Sequence, residues 1–156
     1  AEEGENIVAV VDIDEIVLTE ADRYQSSEIV DTTIDTHKVS AGRARGNPAQ
    51  CTRIVRNLLD NACRHAKSQV AVSLTTEQEF VVLTVDDDGP GIPLADRDRV
   101  FDRFTRLDEG RSRDAGGMGI GLAMVRTIAD RHGGSVTIGD APLGGARFVV
   151  RLPAEI

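Results

Sequence analysis

Several features that would assign this chain to a common functional class are missing from its 156 residues. No run of apolar residues approaches the roughly 18 that a membrane-spanning helix needs. Acidic residues outnumber basic ones by 26 to 18, and the formal net charge of −8 argues against nonspecific nucleic-acid binding as the main activity. No Cys-x-x-Cys motif or Cys/His cluster is present, so a zinc site is not expected.

Cysteine is scarce as well. The two cysteines, Cys51 and Cys63, fall on one predicted helix and stand about 18 Å apart along its axis. They cannot bridge each other at that distance. We therefore expect buried thiols in a reducing compartment, which favours a cytoplasmic location.

What is present is the composition of a soluble globular domain, with 40% hydrophobic and 28% charged residues. Residues 1–10 are expected to form a tail or linker and residues 11–156 one domain, with 7–11 either a short strand or the lead into the first helix. Helices are predicted at 12–24, 48–66, 94–104 and 119–132. Strand pairs are predicted at 29–34 with 38–45, 70–75 with 80–85, and 135–139 with 146–152. This order indicates an α+β fold with a mixed, mainly antiparallel sheet and helices on one face.

The helix predicted at 48–66 carries the most informative polar stripe. At 100° per residue, Asn57, Asn61 and Arg64 lie within about 40° of one another. Apolar residues occupy the opposite face: Cys51, Val55, Leu58, Leu59, Ala62 and Ala66. Amide oxygens one turn apart can converge on a hard cation, although ordinary helix-surface amides would show the same spacing.

A second candidate is the sequence Asp87-Asp88-Gly89-Pro90-Gly91, which follows a predicted strand. Glycines there would let the backbone approach a flat ligand, and a carboxylate could accept a hydrogen bond from an exocyclic amine. The alternative is a plain acidic turn. A calcium loop is excluded, because the twelfth residue from Asp86 is Arg97 rather than Glu.

Two further motifs follow along the chain. Residues 116–121 read Gly-Gly-Met-Gly-Ile-Gly and open a helix whose free N–H groups suit phosphate, although neither GxGxxG nor GxxxxGK[ST] fits. Phe101 and Phe104 form an aromatic pair that could equally be core packing. Residues 105–117 between these motifs have few apolar anchors, so we expect them to be mobile.

Taken together, these motifs resemble the four boxes of the sensor histidine kinases over residues 48–153. Residues 57–62 resemble the N box, Asp87-x-Gly89-x-Gly91 the G1 box, Phe101-x-x-Phe104 the F box, and Gly117-x-Gly119-x-Gly121-Leu122 the G2 box. The resemblance implies the Bergerat ATP-binding fold, a two-layer sandwich with a mobile ATP lid that gyrase B, MutL and the large heat-shock chaperones share. We expect a PrrB-type member of the kinase family.

The resemblance also implies roles for individual residues. Asn61 would hold Mg²⁺ against ATP, Asp87 would accept from the adenine amine, His65 would line the nucleotide, and Arg64 and Arg106 would contact phosphates. Asn57 would be a further catalytic position, standing where related ATPases carry the Glu that activates water. The other nucleotide-binding positions would be Gly89, Gly91, Ile92, Phe104, Gly117, Gly119, Gly121 and Leu122.

The implied reaction is phosphoryl transfer from Mg²⁺·ATP to a histidine on a separate dimerisation domain of the same kinase. None of His37, His65 and His132 has the setting of that acceptor, so this chain would be the catalytic and ATP-binding domain alone. A response regulator would act downstream. We expect a monomer that binds no nucleic acid and forms the cytoplasmic part of a membrane-anchored sensor.

Two alternatives remain open at this point. The chain could be an ATPase or an anti-sigma-type serine kinase of the same fold, although both normally carry a Glu where Asn57 stands. It could also be a nucleotide-binding module that transfers nothing. Contacts to the γ-phosphate, such as that expected of Arg106, would then be dispensable.

Overall fold

The computed structural model describes residues 7–26, 31–102 and 121–155. Three helices are present there: α1 (Ile13–Gln25), α2 (Pro48–His65) and α3 (Gly121–Arg131). The strands are β1 (Ala9–Asp12), β2 (Thr33–Val39), β3 (Arg43–Gly46), β4 (Gln69–Glu77), β5 (Phe80–Asp87), β6 (Ser135–Asp140) and β7 (Ala146–Pro153).

Five strands form the main sheet in the order β2-β4-β5-β7-β6. Only β2 and β4 run parallel, and each of the other neighbouring pairs in this sheet is antiparallel. Along β7, buried and half-buried residues alternate, as expected of a strand with one face covered by helices. The predicted α+β fold with a mixed, mainly antiparallel sheet is confirmed.

The first predicted strand pair was wrong. Residues 29–34 and 38–45 were expected to form a hairpin with its turn near Asp35 and Thr36, but both residues lie inside β2. β2 pairs with β4, whereas β3 pairs with β1 in a separate two-stranded sheet. The connection between β2 and β3 is instead at residues 40–42. Gly42 is buried there and lies so close to Val81 that an added Cβ would be 3.1 Å from the Val81 Cγ1.

The helix predicted at 94–104 was also wrong. The structure has two short 3-10 turns, Leu94–Asp96 and Arg99–Phe101, because the charged run between them offers no continuous apolar face. Phe101 is buried and meets the ring of Phe148 edge-on, with ring centroids 6.5 Å apart. Core packing therefore accounts for this half of the aromatic pair.

The predicted character of α2 is confirmed. Asn47 caps its N-terminus by accepting a hydrogen bond from the N–H of Gln50 at 3.0 Å, and Pro48 occupies the first turn, where its missing N–H costs nothing. The residues predicted for its apolar face are buried, apart from Ala66, which is half-buried at the C-terminal end. This packing fixes which way the opposite, polar side of α2 faces.

Both cysteines are free thiols, as expected from their separation on α2. Burial raises the pKa of Cys51 and of Cys63 to about 11, so both remain protonated near neutral pH. Within the ranges that the structure describes, no helix is long and apolar enough to cross a membrane.

Candidate functional site

Asn57 and Asn61 lie on the polar side of α2, as the periodicity predicted. Asn57 is half-buried, and its Nδ2 donates to the carbonyl of Gly121 at 3.2 Å, which joins α2 to the start of α3. Asn61 is only 9% exposed, and its side chain makes no hydrogen bond within the described part of the chain. Every fully buried side-chain N or O atom of the described residues has a hydrogen-bond partner. The amide of Asn61 has none, so it is not fully buried and still reaches solvent.

The last turn of α2 holds Arg64 and His65. Arg64 donates to the carboxylate of Asp60, and the hydroxyl of Tyr24 donates to the other oxygen of the same carboxylate at 3.4 Å. Burial, followed by the charge of Asp60, raises the pKa of Tyr24 to about 12, so the hydroxyl keeps its proton. Arg64 is thus held by a carboxylate in this structure, and a phosphate would have to compete for it.

Asp87 ends β5 and is the most deeply buried carboxylate among the described residues, at 2% exposure. Its Oδ1 accepts from the N–H groups of Gly89 at 2.8 Å and Ala146 at 3.2 Å. The described residues supply no partner to Oδ2. Two backbone donors therefore fix the orientation of this carboxylate and leave one oxygen as an acceptor.

Glycines surround Asp87 because the backbone comes too close for side chains. A Cβ at Gly89 would overlap the carbonyl oxygen of His65, which brings the G1 segment against the end of α2. Gly91 has φ +77°, a conformation that L side chains rarely adopt. Close backbone packing at Gly89 and the positive φ of Gly91 therefore explain why glycine stands at these two positions, without reference to the kinase motifs.

The turn between β6 and β7 supplies a site residue that the sequence analysis missed. A Cβ on Gly145 would lie 2.6 Å from the carbonyl oxygen of Asp87 and 2.6 Å from the nitrogen of Gly89. The available signal is the pair Gly144-Gly145, which immediately precedes the strand predicted at 146–152.

Asp88 anchors the same segment from its other side. Its Oδ1 accepts from the N–H groups of Lys67 at 2.7 Å and Ser68 at 3.1 Å, and its own N–H donates to the carbonyl of Gln69 at 3.2 Å. These bonds tie the end of β5 to the connection between α2 and β4. The end of β5 that carries Asp87 is therefore held next to the C-terminal end of α2.

The neighbouring Asp86 has a different role. It is buried at 7% exposure, and Arg147 of β7 donates to both of its oxygens at 2.8 Å. This hydrogen bonding raises the pKa of Arg147 above its usual value. Of the three consecutive aspartates, only Asp87 keeps an oxygen that no described residue contacts.

The remaining predicted positions divide into two groups. Ile92 and Leu122 are half-buried and pack against the core, which leaves part of each side chain accessible beside the glycines. Phe104, Arg106, Gly117, Gly119 and the expected lid at 105–117 lie outside the described residues. The predicted residues thus form two neighbouring groups along α2. Asn57 and Asn61 lie on the helix with Gly121 against Asn57, and His65 lies at the end of the helix, where Gly89 and Asp87 approach it.

A buried glutamate of α1 that pairs with exposed arginines, one of them Arg56 next to Asn57 in the sequence, was also missed. Glu20 of α1 is 4% exposed and accepts from Nε and Nη2 of Arg56 at 3.1 and 3.0 Å and from Arg23 at 2.8 Å. The hydrogen bond with Arg56 is the main cause that lowers the pKa of Glu20. No sequence signal distinguishes Glu20 from the exposed acids of α1, since its partner stands 36 residues away.

Comparison with known proteins gives a consistent result. Residues 46–156 match the model of the family described as "Histidine kinase-, DNA gyrase B-, and HSP90-like ATPase". The chain is 42% identical over 108 residues to the sensor histidine kinase CpxA of Escherichia coli, covering 69% of this chain and 24% of CpxA. It is 44% identical over 112 residues to the probable sensor histidine kinase TcrY of Mycobacterium tuberculosis, covering 70% and 23%.

Solved structures agree over nearly the full length. The mycobacterial sensor histidine kinase MprB superposes with a TM-score of 0.83 at 28% identity, covering 96% of this chain and 99% of that one. The ATP-binding domain of PrrB from Mycobacterium tuberculosis gives 0.78 at 30% identity, covering 96% and 98%. The expected likeness to PrrB is confirmed.

Proposed function

This chain belongs to the family of histidine kinase-, DNA gyrase B- and HSP90-like ATPases, and we propose that it binds Mg²⁺·ATP and donates the γ-phosphoryl group to a histidine on another domain. The observation that carries the proposal is the hydrogen bonding of the two carboxylate oxygens of Asp87. Its Oδ1 accepts from two backbone donors, whereas no described residue donates to its Oδ2, and the neighbouring glycines bring backbone rather than side chains against the carboxylate. Such an acceptor suits the exocyclic amine of adenine.

The metal would be held by an amide rather than by a cluster of acids. Within the described ranges, no group of three or more His, Cys, Asp or Glu side chains could hold a metal ion. Asn61 offers a neutral oxygen ligand, sheltered but reachable, which fits a Mg²⁺ ion that takes most of its other ligands from phosphates and water. Bound there, the ion would neutralise charge on the triphosphate.

The chain's own residues would then act by positioning and by charge. In the transfer, the imidazole nitrogen of the acceptor forms a P–N bond, the bond between the γ-phosphorus and the β–γ bridging oxygen breaks, and ADP leaves with the electron pair. Arg64, once released from Asp60, and Arg106 of the expected lid would carry positive charge to the phosphates. A neutral imidazole is already a nucleophile, so no strong base is required of Asn57.

The partners and the location follow from the same proposal. The chain spans about a quarter of the length of the curated relatives named above. We infer that the acceptor histidine lies on a dimerisation domain of the same kinase and that a response regulator receives the phosphoryl group. This domain would be monomeric in isolation and would form the cytoplasmic part of a membrane-anchored sensor.

Calorimetry and radiolabel transfer test the proposal together. Titration with ATP, with and without Mg²⁺, should show binding that Mg²⁺ strengthens and that Asn61→Ala makes insensitive to the metal. Incubation with [γ-³²P]ATP should then label the histidine-bearing domain of the same kinase when it is added in trans. Arg106→Ala should slow that labelling without changing the affinity for ADP. Nucleotide binding without any labelling would favour a binding module that transfers nothing.

A further inference from the structure

The side chain of Arg97 bridges two separate segments that border Asp87. Arg97 follows the first 3-10 turn, and its side chain is only 19% exposed. Its Nε donates to the carbonyl of Ile92 at 2.9 Å, and its Nη2 donates to Oδ1 of Asp140 at 2.6 Å. One guanidinium therefore joins the chain just after the G1 box to the end of β6.

The Asp140 side of this bridge leads directly to the carboxylate of Asp87. Asp140 is the last residue of β6 and lies opposite Ala146 of β7. The N–H of Ala146 is one of the two donors that orient the Asp87 carboxylate, at 3.2 Å from Oδ1. The turn between the two strands is closed by a hydrogen bond from the N–H of Ala141 to the carbonyl of Gly145 at 2.8 Å. Asp140 is thus connected through one strand pair to the group that holds Asp87.

The Ile92 side of the bridge leads to the other wall of the same site. Residues 88–93 form no helix or strand, so their backbone lacks the regular hydrogen bonds of a sheet or helix. Gly91 runs along the turn between β6 and β7, because an added Cβ would lie 3.7 Å from the carbonyl oxygen of Gly145. Ile92 is half-buried and packs against the core. Arg97 gives the Ile92 carbonyl a partner that regular structure does not supply there.

The ion pair with Asp140 would not by itself indicate a role in function. The Asp140 side chain is 87% exposed, and exposed ion pairs contribute little to stability. The arrangement of Arg97 is different, because its sheltered guanidinium donates to two acceptors that belong to separate segments. A guanidinium is a planar fork with fixed donor directions, so it also sets the spacing between the groups that it joins.

We propose that Arg97 is a positioning residue for the base of the nucleotide and that it fixes the distance between Ile92 and the carboxylate of Asp87. The inference rests on the proposed nucleotide binding and concerns the fit of the base rather than the transfer of the phosphoryl group. Ile92 would supply an apolar contact to an adenine base and Asp87 the acceptor for its amine. Binding both groups at once requires that their separation match the base.

Calorimetric titration of the full chain with ADP tests this role. We expect Arg97→Ala to weaken ADP binding by about tenfold, the usual scale of one charge-assisted hydrogen bond. Arg97→Lys keeps the charge but has a single donor group on a flexible stem, so it should restore part of the affinity. Arg99→Ala is the matched control, because it removes the same charge from an exposed position two residues away and should leave the affinity unchanged.

The kinetics of phosphoryl transfer separate positioning of the base from a general defect. With the histidine-bearing domain at fixed concentration, Arg97→Ala should raise the KM for ATP by about tenfold and leave kcat unchanged, because the phosphates bind elsewhere along α2. Asp140→Ala should give a smaller rise in KM, and combining it with Arg97→Ala should add little. Urea unfolding shows whether each variant is folded. If Arg97→Ala does not fold, Arg97→Lys and Asp140→Ala carry the same test.

Several outcomes would overturn the role of Arg97. These are an unchanged ADP affinity in folded Arg97→Ala, an equal loss in Arg99→Ala, a fall in kcat without a change in KM, or fully additive effects of Arg97→Ala and Asp140→Ala. Failure of the unaltered chain to bind ADP or ATP would instead overturn the proposed function, so the two failures are distinguishable.

Discussion

Gly145 lies directly against Asp87: its N–H donates to the Asp87 carbonyl at 3.1 Å, and the next residue, Ala146, donates to the Asp87 carboxylate at 3.2 Å. The turn between β6 and β7 therefore forms one wall of the candidate adenine site. Because a Cβ on Gly145 would overlap the carboxylate, the presence of glycine here is required by the position of Asp87.

We expect Gly145→Ala to lower the affinity for ADP by at least about tenfold, or roughly 1.4 kcal/mol. The added methyl group must displace Asp87 or Gly89, which misplaces the acceptor oxygen. Isothermal titration of both proteins measures the change. Gly139→Ala in β6 is the control, because nothing lies within 4 Å of its added Cβ. Equal losses in the two variants would show that Gly145 has no particular connection with the site.

Asp87→Asn tests the acceptor itself. The amide oxygen can take the place of Oδ1 and keep the bonds from Gly89 and Ala146, which leaves an NH₂ group where Oδ2 faced the ligand. A donor would then meet the adenine amine, also a donor. We expect ADP binding to weaken by roughly 1.5–3 kcal/mol, while Asp98→Asn, an exposed change, has no effect. An unchanged affinity in calorimetry would remove Asp87 from the site.

The parts of this site that lie on one helix were predictable from the sequence. Helix periodicity alone places Asn57 and Asn61 on one side and Leu58 and Leu59 on the other, and the structure agrees. The glycines of the G1 segment were predictable for a similar reason. They follow a strand directly, which marks a turn, although the group that excludes a side chain at Gly89, the carbonyl of His65, lies elsewhere in the chain.

Contacts between distant segments were not predictable in this way. Gly145 meets Asp87 only because β5 and β7 are neighbours in the sheet, and Glu20 meets Arg56 only because α1 packs on α2. The wrong hairpin at 29–45 has the same origin. Its two strands pair with β4 and β1, and these pairings depend on the whole fold rather than on the turn between them.

Asn57 leads to a prediction about hydrolysis. Its amide donates to Gly121 and cannot accept a proton near neutral pH, so water at the γ-phosphate would lack a general base. General-base catalysis typically contributes about 10²–10⁴-fold. We therefore expect steady-state phosphate release to be slower by roughly that factor than in an ATPase of this fold that carries Glu at this position. Rapid release that persists in Asn57→Ala would show that another residue activates water.

The ion pair between the buried Glu20 and the exposed Arg56 predicts how stability depends on pH. The pKa of Glu20 is lowered in the folded protein from its ordinary value of 4.5, chiefly by the hydrogen bond with Arg56. The stabilisation is therefore complete above about pH 4.5 and is lost as the pH falls through the lower, folded-state pKa. We expect Glu20→Gln to reduce the free energy of unfolding by about 1–3 kcal/mol at pH 7, measured by urea denaturation.

The same comparison at lower pH separates this charge effect from a simple packing defect. As the pH falls from about 4.5 through the lower, folded-state pKa of Glu20, the carboxylate of the unaltered protein takes up a proton, so its stability should converge on that of Glu20→Gln. Glu15→Gln changes an exposed carboxylate of the same helix and should differ little from the unaltered protein at either pH. A deficit in Glu20→Gln that stays constant from pH 7 to pH 3 would contradict the assignment, because a packing defect does not titrate.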